Sequence, residues 1–443
     1  MTSLRIDHAH LIDPSNNLDG VGFLYIEDGK IAEISPAPIE RTADRVIDGT
    51  DLIVTPGWID MHVHLRVPGQ EFKETIATGT RAAAAGGFTA IACMPNTVPA
   101  LDNVEVITEL LQNCARDGVV PVLPIAAITK GRAGKELVDF DALDAIGVVG
   151  FSDDGISTAD ASLMMDALRA SARLGKPIMV HCEDATLVGG VMHEGEVSRT
   201  LGLKGIPAAA EESFIARDCL LAGETGGWLH VLHVSSALGL GIINFFRDQG
   251  FDITNEVMPH HLVMTDEWVA GDRTLQNTDL SGPRAAAGHP DTKVNPPLRT
   301  ATDTRALLAG LAHGHFDILG TDHAPHAASE KRDVPIQDAA FGMIGLEVAV
   351  PTMLALVRAG HLTLSQIVDR FACQPARLWG LPHGRLEPEG RATLTVINPD
   401  LAWTVTESEL QTKSKNTPLL GMTMTGRAVL TMIDGKVVHD LLS

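Results

Sequence analysis

His62 and His64 stand two residues apart in the stretch GWIDMHVHLRVPG (57–69), with Arg66 two further on. In a strand, residues two apart point to one side, so both imidazoles can aim at one spot while Met61 and Val63 pack the other way. Two neutral imidazoles at that spacing make a chelate for zinc, with Zn–N distances of about 2.0–2.1 Å. A single H-x-H is more often a pair of hydrogen-bonded core histidines, so repetition of the arrangement carries the argument. His181 ends PIMVH, His233 ends LHVLH and Asp322 ends FDILGTD. Each follows a run expected to be buried, where an unpaired polar group costs about 1–3 kcal/mol. One shared metal accounts for all of them. His230, three residues before His233, falls on the opposite side of an unbroken strand and reads as structural. His260 and His261 fit a pocket lining or plain packing equally and stay outside the ligand set. His8, His10, His193, His289, His361, His383 and His439 lie in terminal segments, loops or helix ends and are expected at the surface.

These residues need a scaffold that brings distant strand ends together. Eight short apolar runs alternate with helix-like stretches: GWIDMHVHL, FTAIACMP, VVPVLPIAAI, VVGFSDDG, PIMVHCED, LHVLHVSS, FDITNEVMPHH and FDILGTDHAPH. ETIATGTRAAAAGG, NVEVITELLQNCARDG, DASLMMDALRASARLG and TDTRALLAGLAHG read as helices closing on glycine. Eight units predict an α/β fold of the (β/α)8 TIM-barrel type. A doubly wound open sheet would alternate too, but most runs turn polar only at their C-terminal ends. His62, His64, Asn96, Asp153, Asp154, His181, His233, Asp322 and His323 all fall there, and a barrel gathers those ends into one mouth.

The flanks read differently. FLYIEDGKIAEIS and AVLTMIDGKVVHD each place Asp-Gly, a hairpin turn, between two apolar strands. We expect residues 1–56 and 386–443 to pair as the two parts of a small composite β-sandwich domain beside a barrel at 57–385. A chain of 443 residues suits that division, since single cores seldom exceed about 250–300 residues. The net charge of −22 repels nucleic acid and anionic membranes, which leaves small molecules as partners. No apolar run approaches the roughly 20 residues that span a bilayer, and MTSLRIDHAH lacks a signal core, so a cytoplasmic location is expected. The five cysteines are scattered and form neither a disulfide framework nor a thiolate zinc site.

PGWIDMHVHLRVPG, GTRAAAAGGFTAIACMPNT, FSDDG, VHCED, LHVSS, KVNPPLR, GTDHAPH and AFGMIGLE follow one another in an order that resembles the class I bacterial dihydroorotases of the amidohydrolase superfamily. The resemblance implies a zinc-dependent cyclic amide hydrolase of pyrimidine biosynthesis, interconverting N-carbamoyl-L-aspartate and L-dihydroorotate. It implies one or two zinc ions, two being preferred, with His62, His64 and Asp322 on the first, His181 and His233 on the second, and Asp154 between them. Many relatives carry a carboxylated lysine as the bridge. Here GFSDDG offers only carboxylates, and Asp153 rivals Asp154, since strand alternation lets one of the two face the metals. Zinc would make water a nucleophile near neutral pH, and Asp322 is implied as the catalytic group that takes a proton and returns it to the ring nitrogen. Arg66, Asn96 and His326 match contacts to the substrate carboxylate; Asn295 and the backbone at Phe341 and Gly342 match contacts to the ring.

The chain departs from the pattern at Val67, where an acid is common, and at Met258, where threonine is usual. The stretch 271–292 is longer than usual, and HAPHAASEKRD is expected to form a mobile loop over the site. An allantoinase or hydantoinase is the enzyme alternative. An inactive scaffold for aspartate carbamoyltransferase is the other, disfavoured because every candidate ligand is present. A homodimer is expected, and association with the carbamoyltransferase is compatible with an active enzyme.

Overall fold

The computed structural model describes residues 3–443. All eight expected runs form strands, at Trp58–Val63, Phe88–Cys93, Val122–Ala126, Gly150–Ser152, Ile178–Val180, Leu229–Val231, Ile253–Val257 and Ile318–Leu319. They pair in chain order and in parallel. A parallel bridge from Val63 to His323, with the His64 N–H on the His323 carbonyl at 2.9 Å, closes the last strand onto the first. The open-sheet alternative is thereby excluded.

The predicted helices follow at Ile76–Ala85, Val104–Asp117, Ala161–Leu174 and Ala301–Ala312. Each starts on a side chain that accepts from the first turn: Thr75, Asn103, Asp160 and Thr300. Ile59, Met61, Ala90, Ala92, Ile125, Met179, Leu232 and Ile318 form one buried cluster, which residues of six strands can share only inside the barrel. The helix Gln374–Trp379 packs into the same cluster, and the Trp379 indole N–H reaches the Val149 carbonyl at 3.0 Å. The end opposite the polar mouth is therefore plugged with apolar side chains.

The two chain ends meet in one eight-stranded sheet. Its order runs Lys436–Asp440, Thr423–Ile433, Leu394–Thr404, Ile53–Pro56, Ser3–Asp13, Leu18–Glu27 and Lys30–Ser35, with Arg45–Asp48 also on Ser3–Asp13. Leu4, Ile6, Leu11, Leu24, Val54, Leu394, Val396 and Leu430 give this unit a core of its own. Both hairpins turn where expected. Asp28 and Gly29 take φ of 49° and 80°, and Asp434 and Gly435 take 48° and 79°, the positive values that a two-residue turn needs to match strand twist.

Between Leu394–Thr404 and Thr423–Ile433 the chain leaves this sheet and runs along the barrel mouth. The Gln411 and Thr412 N–H groups bond the buried Glu347 carboxylate at 2.8–3.0 Å. Thr412 Oγ1 bonds Glu74, Ser414 Oγ reaches the Lys73 carbonyl at 2.6 Å, and Arg273 Nη2 donates to the Pro418 and Leu420 carbonyls at 2.7 Å.

Two expectations are corrected. His193 is 9% exposed rather than superficial, with Nδ1 3.2 Å from Arg299 Nη1, because it sits in a two-stranded sheet of its own with Gly205–Ile206. The segment after His326 is pinned rather than a loose cover. Lys331 is fully buried, and its ammonium donates to the Lys293 and Ala340 carbonyls at 2.7 Å each.

Candidate metal centre

His62, His64, Asp154, His181, His233 and Asp322 leave five different strands and converge at the mouth, all buried. His64 Nε2 lies 3.0 Å from Asp322 Oδ1 and 3.5 Å from Asp154 Oδ2. His62 Nε2 lies 3.5 Å from Asp322 Oδ1 and 3.8 Å from Asp154 Oδ1. His181 Nδ1 and His233 Nε2 are 2.9 Å apart and sit 3.5 and 3.6 Å from Asp154 Oδ1. Asp154 thus touches all four imidazoles. Two overlapping donor groups could each hold an ion: His62, His64 and Asp322, and His62, Asp154 and His233.

The donors fit a cation. His62 Nε2 is buried without any hydrogen-bond partner, a costly arrangement unless something positive sits before it. Burial alone would lower the His62 imidazole, yet Glu256, Asp322 and Asp154 outweigh it and raise it to about 10. Against its own burial, Asp154 is held well below the usual carboxylate range by His181 and His233. Three carboxylates, those of Glu256, Asp322 and Asp154, thus lie 2.6–3.8 Å from the ring nitrogens of His62.

The two neighbouring aspartates occupy opposite environments. Asp153 Oδ1 accepts the Ile128 and Thr129 N–H groups at 3.0 and 3.1 Å, and Oδ2 accepts the Thr129 and Thr158 hydroxyls at 2.6 and 3.1 Å. Four donors saturate it on the side away from the histidines. Arg132 holds the turn itself, with Nη2 on the Asp154 carbonyl and 3.2 Å from that of Asp153.

The sequence reading missed two acids that aim the donors. Glu256 is fully buried; its Oε1 is 2.6 Å from His62 Nδ1 and accepts the His233 N–H at 3.2 Å. It thereby fixes which His62 nitrogen faces the centre. Its signal was an acid inside an otherwise buried strand, TNEV. Asp60 Oδ1 accepts the His62 N–H at 3.0 Å and the Thr321 N–H at 3.2 Å, tying the first strand to the last beside Asp322. Replacing Glu256 by Gln is expected to weaken metal binding about 10–100-fold. Competition with a chromophoric chelator measures this, and unchanged affinity would show that Glu256 does not orient His62.

Three of the predicted residues adopt left-handed backbone: Arg66 at φ 62°, His233 at 33° and Asp322 at 48°. Such conformations cost about 1–3 kcal/mol each and persist where the surroundings impose them, which is typical of functional sites. Arg66 Nε donates to the Pro325 carbonyl at 3.1 Å, and Nη2 lies 3.2 Å from His326 Nε2. Burial lowers this guanidinium only to about 10, so it stays charged. The His326 imidazole is driven down to about 2 by burial and by Arg66, Lys73 and Lys331. It is therefore neutral, with Nε2 2.8 Å from the Phe341 carbonyl.

Asn96 Oδ1 is 2.8 Å from His64 Nδ1, so this side chain aims a donor as well as lining the mouth. Asn295 Nδ2 bridges to Glu183 Oε1 at 2.9 Å and His181 Nε2 at 3.3 Å. At Gly342 both backbone groups are engaged, the N–H by the Lys293 carbonyl at 2.9 Å and the carbonyl by Asn416 at 3.2 Å. The Phe341 N–H has no partner among the described residues. Of the two backbone positions expected to face the ring, Phe341 alone keeps a free N–H.

Residues 51–238 match the family model described as Dihydro-orotase-like. The dihydroorotase of Aquifex aeolicus (strain VF5) is 44% identical over 99% of this chain and 100% of its own length. That of Pelotomaculum thermopropionicum is 47% identical over 98% of each. The chain belongs to the dihydroorotase family. L-Hydantoinase (dihydropyrimidinase) from Arthrobacter aurescens shares the fold with a TM-score of 0.85 at 26% identity, covering 99% of this chain and 96% of that one. As a dihydroorotase-family member within the cyclic amidohydrolases, the chain is an enzyme whose fold calls for a metal, and the two donor groups are where one could sit.

Proposed function

We propose that this enzyme interconverts N-carbamoyl-L-aspartate and L-dihydroorotate with two zinc ions held by His62, His64, Asp154, His181, His233 and Asp322. The observation that carries the proposal is the cationic pocket joined to the donor cluster. Arg66, charged and buried, lies beside neutral His326 and faces the same mouth as Asp322. A cyclic amide with a carboxylate on its ring presents an anion and a scissile carbonyl to such a site at once.

Zinc bound there would polarise the ring carbonyl and bring the pKa of water to about 7. The remaining work falls to side chains. Against its burial, Asp322 is held well below the usual carboxylate range by His62, His64 and His233, so it enters the reaction ionised. Its Oδ atoms take the proton of the attacking water and deliver it to the departing ring nitrogen; cyclisation runs the same transfer backwards. Arg66 and the Asn96 amide hold the ring carboxylate, the Phe341 N–H and Asn295 meet the ring, and Asp154, within reach of all four imidazoles, would be the carboxylate shared by the metal site. Arg66→Lys loses the forked pairing and is expected to raise KM for dihydroorotate with metal content unchanged.

Assaying the purified enzyme on dihydroorotate, allantoin and hydantoin tests the reading. Turnover of dihydroorotate is expected; turnover of the other two alone would make this a hydantoinase-type enzyme on the shared fold. Among the described residues no helix is long and apolar enough to cross a membrane. The proposal extends to a homodimer whose activity is compatible with association with aspartate carbamoyltransferase; sedimentation of the purified chain, alone and mixed with that enzyme, reads both states.

A further inference from the structure

Asn416 lies in the segment that crosses from the terminal sheet to the barrel mouth and is fully buried. Its Oδ1 accepts the His326 N–H at 3.0 Å. Its Nδ2 donates to the Ala324 carbonyl at 3.0 Å and to the Gly342 carbonyl at 3.2 Å. Its own carbonyl accepts the Ile344 N–H at 3.0 Å. One side chain thus spends every hydrogen-bonding atom on two loops that are distant in sequence, the one after Asp322 and the one holding Phe341. These loops carry His326, whose Nε2 lies 3.2 Å from Arg66 Nη2 and 2.8 Å from the Phe341 carbonyl, and the free Phe341 N–H.

The fit between those loops is tight. A Cβ at Gly342, whose φ is 125°, would come within 2.6 Å of Ala324 Cβ and 3.4 Å of His326 Nε2. The Ala324 N–H bonds the Met343 carbonyl directly at 2.9 Å, and Asn416 supplies three further pairings to the two loops. The segment is itself fastened by Glu347, Glu74, Lys73 and Arg273, so Asn416 is presented from a fixed frame.

We propose that Asn416 is a positioning residue for the substrate's carboxylate and ring, setting the distance between His326, Phe341 and Arg66 without touching either ion or substrate. The terminal unit thereby takes part in substrate recognition. This rests on the dihydroorotase reading above. Asn416 reaches none of the six candidate metal ligands, so its loss should act on binding and spare the metals.

The experiment compares wild type with Asn416→Ala and Asn416→Asp; the latter keeps the acceptor for His326 but turns a carboxylate oxygen toward two carbonyls. kcat and KM for dihydroorotate, zinc per chain and melting temperature are measured for each. A KM raised about tenfold or more, with kcat within about threefold and zinc content unchanged, is expected. Wild-type KM in both variants overturns the proposal, as does a fall in kcat together with zinc. If neither variant yields folded protein, the residue is structural and the proposal fails; if only one folds, that one decides. Wild type that does not turn over dihydroorotate overturns the functional reading first, and the proposal with it.

Discussion

Asp322→Asn is expected to leave a folded protein whose turnover of dihydroorotate falls by about 10³-fold or more. General acid–base transfer is worth about 10²–10⁴-fold, and this carboxylate also belongs to one of the two donor groups. The amide fills the same volume and can still meet His64, 3.0 Å from Oδ1, so the strand end need not collapse. Circular dichroism and melting should stay near wild type while kcat drops. An active Asp322→Asn enzyme would remove Asp322 from the proton transfer, and an unfolded one would show that its pairing with the imidazoles is needed for the barrel itself.

The adjacent aspartates give the second large contrast. Asp154→Asn removes the one carboxylate in contact with all four imidazoles. Loss of bound zinc and of nearly all activity is expected, with folding retained. Asp153→Asn should do the reverse. It replaces a carboxylate that accepts four hydrogen bonds and turns a donor toward N–H groups, a cost of about 1–3 kcal/mol. Metal analysis beside thermal denaturation separates the two. If Asp153→Asn lost zinc while Asp154→Asn kept it, the bridge would be assigned to the wrong residue.

Much of the scaffold was legible because buried strands are strongly patterned. Short apolar runs alternating with helix-like stretches marked all eight barrel strands, most of them turning polar at the C-terminal end, and Asp-Gly between apolar runs marked both hairpins. The choice between Asp153 and Asp154 was not legible, since alternation states only that they point apart. What sets the two apart is the loop at Ile128 and Thr129, which hydrogen-bonds Asp153 and leaves Asp154 among the imidazoles. Glu256 was passed over because its partner His62 is 194 positions away, and Asn416 because its partners lie in another unit of the fold. His193 and Lys331 were misjudged for a related reason. His193 was expected at the surface from its place outside the barrel strands and the segment of Lys331 was expected to be mobile, whereas an arginine and two backbone carbonyls hold these side chains inside the protein.

The sheet shared by the two chain ends bears on how the enzyme comes into being on the ribosome. The strand Ile53–Pro56 leads into the first barrel strand after a single residue, yet it pairs with Leu394–Ile397. Its open edge must wait for nearly the whole chain to be translated, and closing so long a loop makes the pairing slow. Every candidate metal ligand has emerged by then, while Asn416 has not. A chain ending before Leu394 therefore contains every candidate metal ligand but lacks both the strand that covers this edge and Asn416.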